Sequence, residues 1–177
     1  MQLRYQPAAD RLLWQLRTTN GDLYAVWLTR RMVRLLWAPM SKLVTQAGLA
    51  QEMPHATVLP EAQAMLAQAV NTRPLPGASF KEPFDTRVVA QPLGAEPLLP
   101  EAIDLGPGDG GQGLKLQLRE GGADGGGGSR RLAMQLSADL ATALQRLLEQ
   151  ALAAADWGLV VAPAEPGHDS PGPALLN

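Results

Sequence analysis

Two histidines are the only imidazoles in this 177-residue chain: His55, beside Pro54, and His168, followed by Asp169 and Ser170. Neither has a second His or a carboxylate at metal-ligand spacing along a helix, so no metal site is expected. His168-Asp169-Ser170 spells the members of a hydrolytic triad, but triad groups are brought together by a rigid fold. Three neighbours in a segment rich in Pro and Gly do not meet that requirement. There is no cysteine, which excludes disulfides, thiolate metal sites and a Cys nucleophile. The glycine-rich run 106–113 lacks the Lys-Ser/Thr of a phosphate loop and precedes a strand pattern, whereas phosphate cradles open into a helix N-terminus. A second glycine run, 121–128, lacks the regularly spaced aspartates of calcium-binding repeats. Both read as flexible connections. Asp104 is the one carboxylate within an apolar strand pattern, and a single carboxylate is not a mechanism. Catalytic residues, cofactors and metals are therefore assigned as none, and the chain is expected not to be an enzyme.

What remains is charge. Residues 1–50 hold seven Lys/Arg against Asp10 and Asp22, a balance of +5, and the remainder holds eight against fifteen, a balance of −7. Such asymmetry fits two repeats that attract each other, within or between chains, or a basic nucleic-acid surface. Arg30, Arg31 and Arg34 cluster in the first turns of a helix, where the dipole mildly disfavours cations. That mild cost gives weight to a role in anchoring acidic groups of a partner.

These residues sit on a pattern that occurs twice. Leu12-Leu13-Trp14-Gln15-Leu16-Arg17 answers to Leu114-Lys115-Leu116-Gln117-Leu118-Arg119, and Trp27 to Met32 answers to Gln135 to Leu140. Each unit reads strand, strand, strand, helix. The expected fold is α+β: an internal duplication, pseudo-twofold, of a three-stranded antiparallel meander followed by a helix that packs on the sheet's apolar face. The boundaries are 1–48 for the first unit, 49–100 for a middle helix and Pro-rich connector, 101–158 for the second unit, and 159–177 for a disordered tail.

In the first unit, Leu3 and Tyr5 alternate with polar neighbours. Asn20-Gly21 predicts a two-residue type I′ hairpin turn, which pairs Trp14 with Trp27 and Leu13 with Leu28. Leu12, Trp14, Leu16, Leu23, Ala25 and Trp27 then face the core. Thr29 caps a helix from Arg30 to about Ala47, with Met32, Leu35, Leu36, Met40, Leu43, Val44 and Ala47 inward. Pro39 predicts a kink or split near Trp37, and Gly48 a stop. A middle helix is expected from Pro60 to Thr72 with Ala62, Met65, Leu66, Ala69 and Val70 as its apolar face, followed by a connector that includes Phe80, Phe84 and a short strand 87–90. In the second unit, Leu114, Leu116, Leu118, Leu132, Met134 and Leu136 point inward. Ser137 caps a final helix that Gly158 ends.

The units differ on their outer faces. That of the second is polar. That of the first is expected to carry Leu13, Gln15, Arg17, Tyr24, Val26 and Leu28, half of it apolar, so something covers it: the connector or middle helix, a partner protein or second copy, or nucleic acid stacked on Tyr24 with Arg4, Arg17 and Arg30 on phosphates. Arg17 opposite Tyr24 equally suits a cross-strand cation–π pair. Repeated strands-then-helix units also occur in single-stranded nucleic-acid-binding proteins, an analogy at the level of fold alone. The leading expectation is a non-enzymatic protein-interaction or assembly module, an accessory subunit or homo-oligomer. Its partner-surface candidates are Leu13, Arg17, Tyr24, Val26, Arg30, Arg31 and Arg34. Single-stranded nucleic-acid binding through the basic N-terminal half is the alternative. With no spanning segment, no secretory leader and no cysteine, a cytoplasmic location and no membrane partner are expected.

Overall fold

The computed structural model describes residues 1–52, 65–66, 68–69, 72–75, 84–85, 87, 89–121 and 130–159. Two three-stranded antiparallel sheets are each followed by a helix: β1 (Gln2–Gln6), β2 (Arg11–Arg17), β3 (Leu23–Leu28) and α1 (Arg30–Glu52), then β4 (Ala102–Pro107), β5 (Leu114–Arg119), β6 (Arg131–Leu136) and α2 (Ala138–Ala155). Strand order is β1-β2-β3 in one sheet and β4-β5-β6 in the other.

The first hairpin differs from expectation by one residue. Thr18 N–H donates to the Asp22 carbonyl at 2.9 Å and Gly21 N–H to the Thr18 carbonyl at 3.0 Å, so the loop holds Thr19, Asn20 and Gly21. Gly21 takes a left-handed φ of +89°, and a Cβ there would lie 2.7 Å from Val89 Cγ2. A third loop residue in this conformation turns the chain as well as the two-residue turn does. The register becomes Leu12 with Leu28, Trp14 with Val26 and Leu16 with Tyr24. Because side chains alternate, this single slip exchanges the two faces of β3. Val26 (1% exposed) and Leu28 (2%) are core residues, Tyr24 packs against them, and Trp27 lies on the outer face with Leu13. The half-apolar outer face built on Tyr24, Val26 and Leu28 does not exist.

The second sheet follows its alternation, with Leu114, Leu116, Leu118, Leu132 and Leu136 buried. The 106–113 connection is ordered: Gly108 N–H donates to the Gly113 carbonyl at 3.1 Å around a short 3-10 turn, Asp109–Gly111.

Both helices begin on the expected cap. Thr29 Oγ1 accepts from Met32 N–H and Ser137 Oγ from Leu140 N–H, each at 3.3 Å. α1 runs unbroken through Pro39 and past Gly48 to Glu52. Pro39 is exposed, so the backbone bond it cannot make falls on the solvent side. Gly48 is buried within the helix and not at its end. Val33 takes the inward place expected of Leu35, which is 62% exposed. Of the middle helix, residues 65, 66, 68, 69 and 72 are helical and Met65 is 77% exposed, so it is not on a buried face. Pro60, Ala62, Val70, Phe80 and the glycine run 122–128 lie outside the described residues, as does the chain beyond Leu159.

One core joins the two units. Leu12, Trp14, Val26 and Leu28 meet Leu114, Leu116, Leu144 and Leu148, with Met40 and Val44 of α1 between them. Each helix reaches across: α1 lies against β4 and β5, and α2 against β1 as well as β6. An internal void of about 10 Å³, lined by Trp14, Leu28, Met40, Leu114 and Leu148 among others, is the size of less than one water and wholly apolar.

Residues 89–90 and Leu98 bond to β3 and its hairpin on either side of a turn closed by Gly94 N–H on the Gln91 carbonyl at 2.8 Å. Val89 N–H donates to the Gly21 carbonyl at 3.1 Å, Leu23 N–H to Ala90 at 2.9 Å, Leu98 N–H to Ala25 at 2.8 Å and Trp27 N–H to Leu98 at 2.7 Å. Leu98 forms a parallel bridge with Val26 and is fully buried. These contacts cover part of the sheet's edge, and of the strand expected over 87–90 the described residues 87, 89 and 90 are not in strand conformation. Arg130 fastens this stretch from the second unit, donating to the carbonyls of Leu93 at 2.8 Å and Glu96 at 2.9 Å while forking onto Glu120 at 2.6 and 2.7 Å.

Candidate interaction surface

The seven sequence candidates separate. Val26 is buried and Tyr24 faces the core. Leu13 is half-buried on the outer sheet face. Arg17 is ion-paired with Asp85, which Arg87 also holds at 2.8 Å; the side-chain and backbone hydrogen bonds from Arg87, with the charge of Arg17 beside them, keep the Asp85 carboxyl well below its usual range.

Arg30 belongs to a clasp between the two ends of the fold. Asp10, in a left-handed conformation (φ +46°) after the Pro7–Ala9 turn, accepts from Trp157 Nε1 at 2.8 Å, Tyr5 Oη at 3.0 Å and Arg30 Nη2 at 3.1 Å. The Trp157 ring meets Tyr5 edge-on at 6.0 Å, and the Arg30 guanidinium stands 5.4 Å from its centroid. The indole and phenol donors hold the Asp10 carboxyl below its ordinary value, and the same carboxylate raises Tyr5. This arrangement is structural. It locks the exit of α2 to the turn between β1 and β2.

Arg31 and Arg34 remain, and α1 sets them beside Leu35, Ala38 and Lys42, all exposed. Spacings of three, four and seven residues put these side chains on one helix face. Among the described residues, no acidic side chain pairs with that face. Of the seven Lys/Arg in residues 1–50, Arg17 and Arg30 are ion-paired, to Asp85 and Asp10. Among the described residues, the side chains of Arg4, Arg11, Arg31, Arg34 and Lys42 make no hydrogen bond or ion pair. Among the described residues, the Arg17–Asp85 pair joins residues 1–50 to the remainder of the chain, and no ion pair joins residues 1–50 to 101–159. By contrast Asp104, Asp109, Glu120 and Asp139 are each paired, to Arg119, Lys115, Arg130 and Arg73.

Lys42 stands exposed on the outer helix face, eight residues on from Arg34. Leu35 was missed because a leucine one turn from Met32 reads as core. Among the described residues there is no cluster of three or more metal-ligating side chains, and no helix long and apolar enough to cross a membrane. No protein-family model, curated protein or solved structure matches the chain.

Proposed function

We propose that this chain is a non-enzymatic interaction module that docks an acidic partner protein on the outer face of α1. The observation that carries the reading is the exposed Leu35 framed by Arg31, Arg34 and Lys42, none of them engaged. An apolar side chain inside a ring of cations suits an acidic amphipathic segment, which can desolvate the leucine while its carboxylates answer the guanidinium groups. Cations left unneutralised keep their long-range field, and that field speeds encounter with an acidic partner. The two strand–strand–strand–helix units are read as copies of one ancestral unit. Their shared strand order, paired 3-10 turns and hydroxyl caps on both helices support this, and 73–100 is the link between them.

A second reading has its own observation. The corrected register places Arg4, Leu13 and Trp27 in one cross-strand row of the outer sheet face, with Arg11 nearby and both arginines unpaired. Cations beside an indole suit a single-stranded nucleic acid.

The test is affinity capture from native extract with the intact protein, L35E and the triple variant R31E/R34E/K42E, each checked for unchanged circular dichroism. A protein set that survives nuclease and falls about 10- to 100-fold with either variant, as removal of a central hot spot does, supports the docking face. Equal recovery by all three refutes it, and recovery abolished by nuclease favours the nucleic-acid reading.

A further inference from the structure

The two sheets end differently. At the first, Leu23 N–H donates to the Ala90 carbonyl at 2.9 Å, Trp27 N–H to Leu98 at 2.7 Å, and the Ala25 carbonyl accepts from Leu98 N–H at 2.8 Å. The second hairpin starts its ladder in the same phase: Glu120 N–H donates to the Arg130 carbonyl at 3.0 Å, as Thr18 N–H does to Asp22 at 2.9 Å. Arg131, Ala133 and Gln135 therefore stand on β6 where Leu23, Ala25 and Trp27 stand on β3, their N–H and C=O groups directed away from β5. All three are exposed, and among the described residues nothing bonds that edge. The strand also lacks two common protections of an edge: it pairs with β5 without a bulge and contains no proline.

We propose that β6 pairs antiparallel with β6 of a second copy of the chain, about a twofold axis at Ala133, so that the second sheets of the two copies become one continuous sheet. Three observations choose that occupant. The first is phase. Centred on Ala133, the pairing sets Arg131 opposite the partner's Gln135 and Ala133 opposite itself, so each outward N–H meets an outward C=O. The second is charge. Arg119 and Arg131 are direct cross-strand neighbours, and like charges so placed repel. Asp104 engages Arg119 at 2.9 Å, and among the described residues no carboxylate engages Arg131. The far end of the same strand carries the missing anion. Gln135, with its amide turned to suit both contacts, donates to Asp109 Oδ2 at 2.8 Å and accepts from Asp109 N–H at 3.3 Å, and the Asp109 side chain is 76% exposed. The twofold brings Arg131 of each copy to Asp109 of the other. The two Arg131 residues then stand roughly 13 Å apart along the strands, beyond a Debye length at physiological salt. A parallel in-register pairing would instead set Arg131 beside Arg131. The third is bulk. Ala133, at the axis, leaves the outer face open where the copies come closest. On the inner face Leu132 lies opposite the partner's Met134, a half-buried residue, which carries the apolar layer across the joint. The outer face of α1 takes no part in this contact.

Sedimentation equilibrium of the full chain tests the proposal, and amide hydrogen exchange read by NMR locates the contact. A monomer–dimer equilibrium is expected between about 10 μM and about 1 mM, the range of a small interface. Protection of the Arg131, Ala133 and Gln135 amides rises with concentration across that range, whereas that of Leu132 and Met134, bonded to β5, does not. Ala133→Pro removes an outward N–H, leaves the bonds to β5 in place and abolishes the dimer. R131E sets a carboxylate against the partner's Asp109 and weakens association at least about tenfold. R131E/D109R exchanges the two charges and restores it, which keeps the test decisive where proline disturbs the fold. A chain that stays monomeric at the top of the range overturns the proposal. So does a dimer that R131E leaves unchanged or that the double variant fails to restore. Full protection of the three amides at the lowest concentration also overturns it, since the chain itself would then cover the edge.

Discussion

Leu98 offers a decisive perturbation, because the segment that carries it could be an ornament on the first sheet or part of the core. Its side chain is fully buried against Val26, and its backbone makes two hydrogen bonds to β3. Leu98→Ala keeps those backbone bonds and removes three carbon groups, worth about 2.4 kcal/mol at roughly 0.8 kcal/mol each. The cavity left behind adds to this, so a loss of about 3 kcal/mol is expected, within the usual 2–5 kcal/mol for such truncations. For a chain of this size each kcal/mol lowers Tm by roughly 2–4 °C, so the midpoint should fall by about 6–12 °C. The assay is thermal and urea unfolding followed by circular dichroism, with Val89→Ala as control, since Val89 is 77% exposed. The control should change stability by under about 0.5 kcal/mol. If Leu98→Ala behaves like the control, the segment does not belong to the core and the covered edge is a misreading.

Two further outcomes follow from the register and the carboxylates. Val26→Asp buries a charge with no partner and should abolish cooperative unfolding, whereas Leu13→Asp, on the outer face, should leave a folded chain; the opposite ranking would restore the register with Trp14 opposite Trp27. Asp10 and Glu120 have carboxyls held below their ordinary values, by Trp157 and Tyr5 in one case and Arg130 in the other. A carboxyl lowered on folding contributes stability above its unfolded pKa and loses it as pH falls through the folded one. Urea midpoints should therefore be level near neutrality and decline on acidification below about pH 4, the unfolded carboxylate range. Asp10→Asn and Glu120→Gln should each flatten part of that decline, and an unchanged profile in both would show that neither pair matters to folding.

Much of the architecture is legible in the sequence because local and global signals agree. Leu114, Leu116 and Leu118 alternate with polar neighbours and all point inward; Thr29 and Ser137 stand ahead of apolar helical stripes and both cap. The errors arise where one residue of phase decides the answer. Asn20-Gly21 serves a two-residue loop or the last two positions of a three-residue one, and composition does not separate them, so Val26 and Trp27 exchanged faces. On α1, Val33 and Leu35 compete for the core stripe; only the packing against β4 and β5 decides between them. That packing is long-range and leaves no periodic trace. The candidate surface was half legible: Arg31, Arg34 and Lys42 follow from helical spacing, while the exposure of Leu35 does not.

The clasp of Asp10 with Trp157 has a consequence for biosynthesis. A ribosome adds roughly 5–20 residues per second, so the first sheet is complete in sequence many seconds before α2 exists. Through that interval the apolar face of β1 and its neighbours has no helix from the second unit to cover it, and Tyr5, Asp10 and Arg30 have no indole to hold. Contacts between the first ten residues and residue 157 also raise the contact order, which slows folding. The nascent chain therefore cannot bank its first half as a finished domain, and its exposure to aggregation and to chaperones lasts until the final helix has emerged.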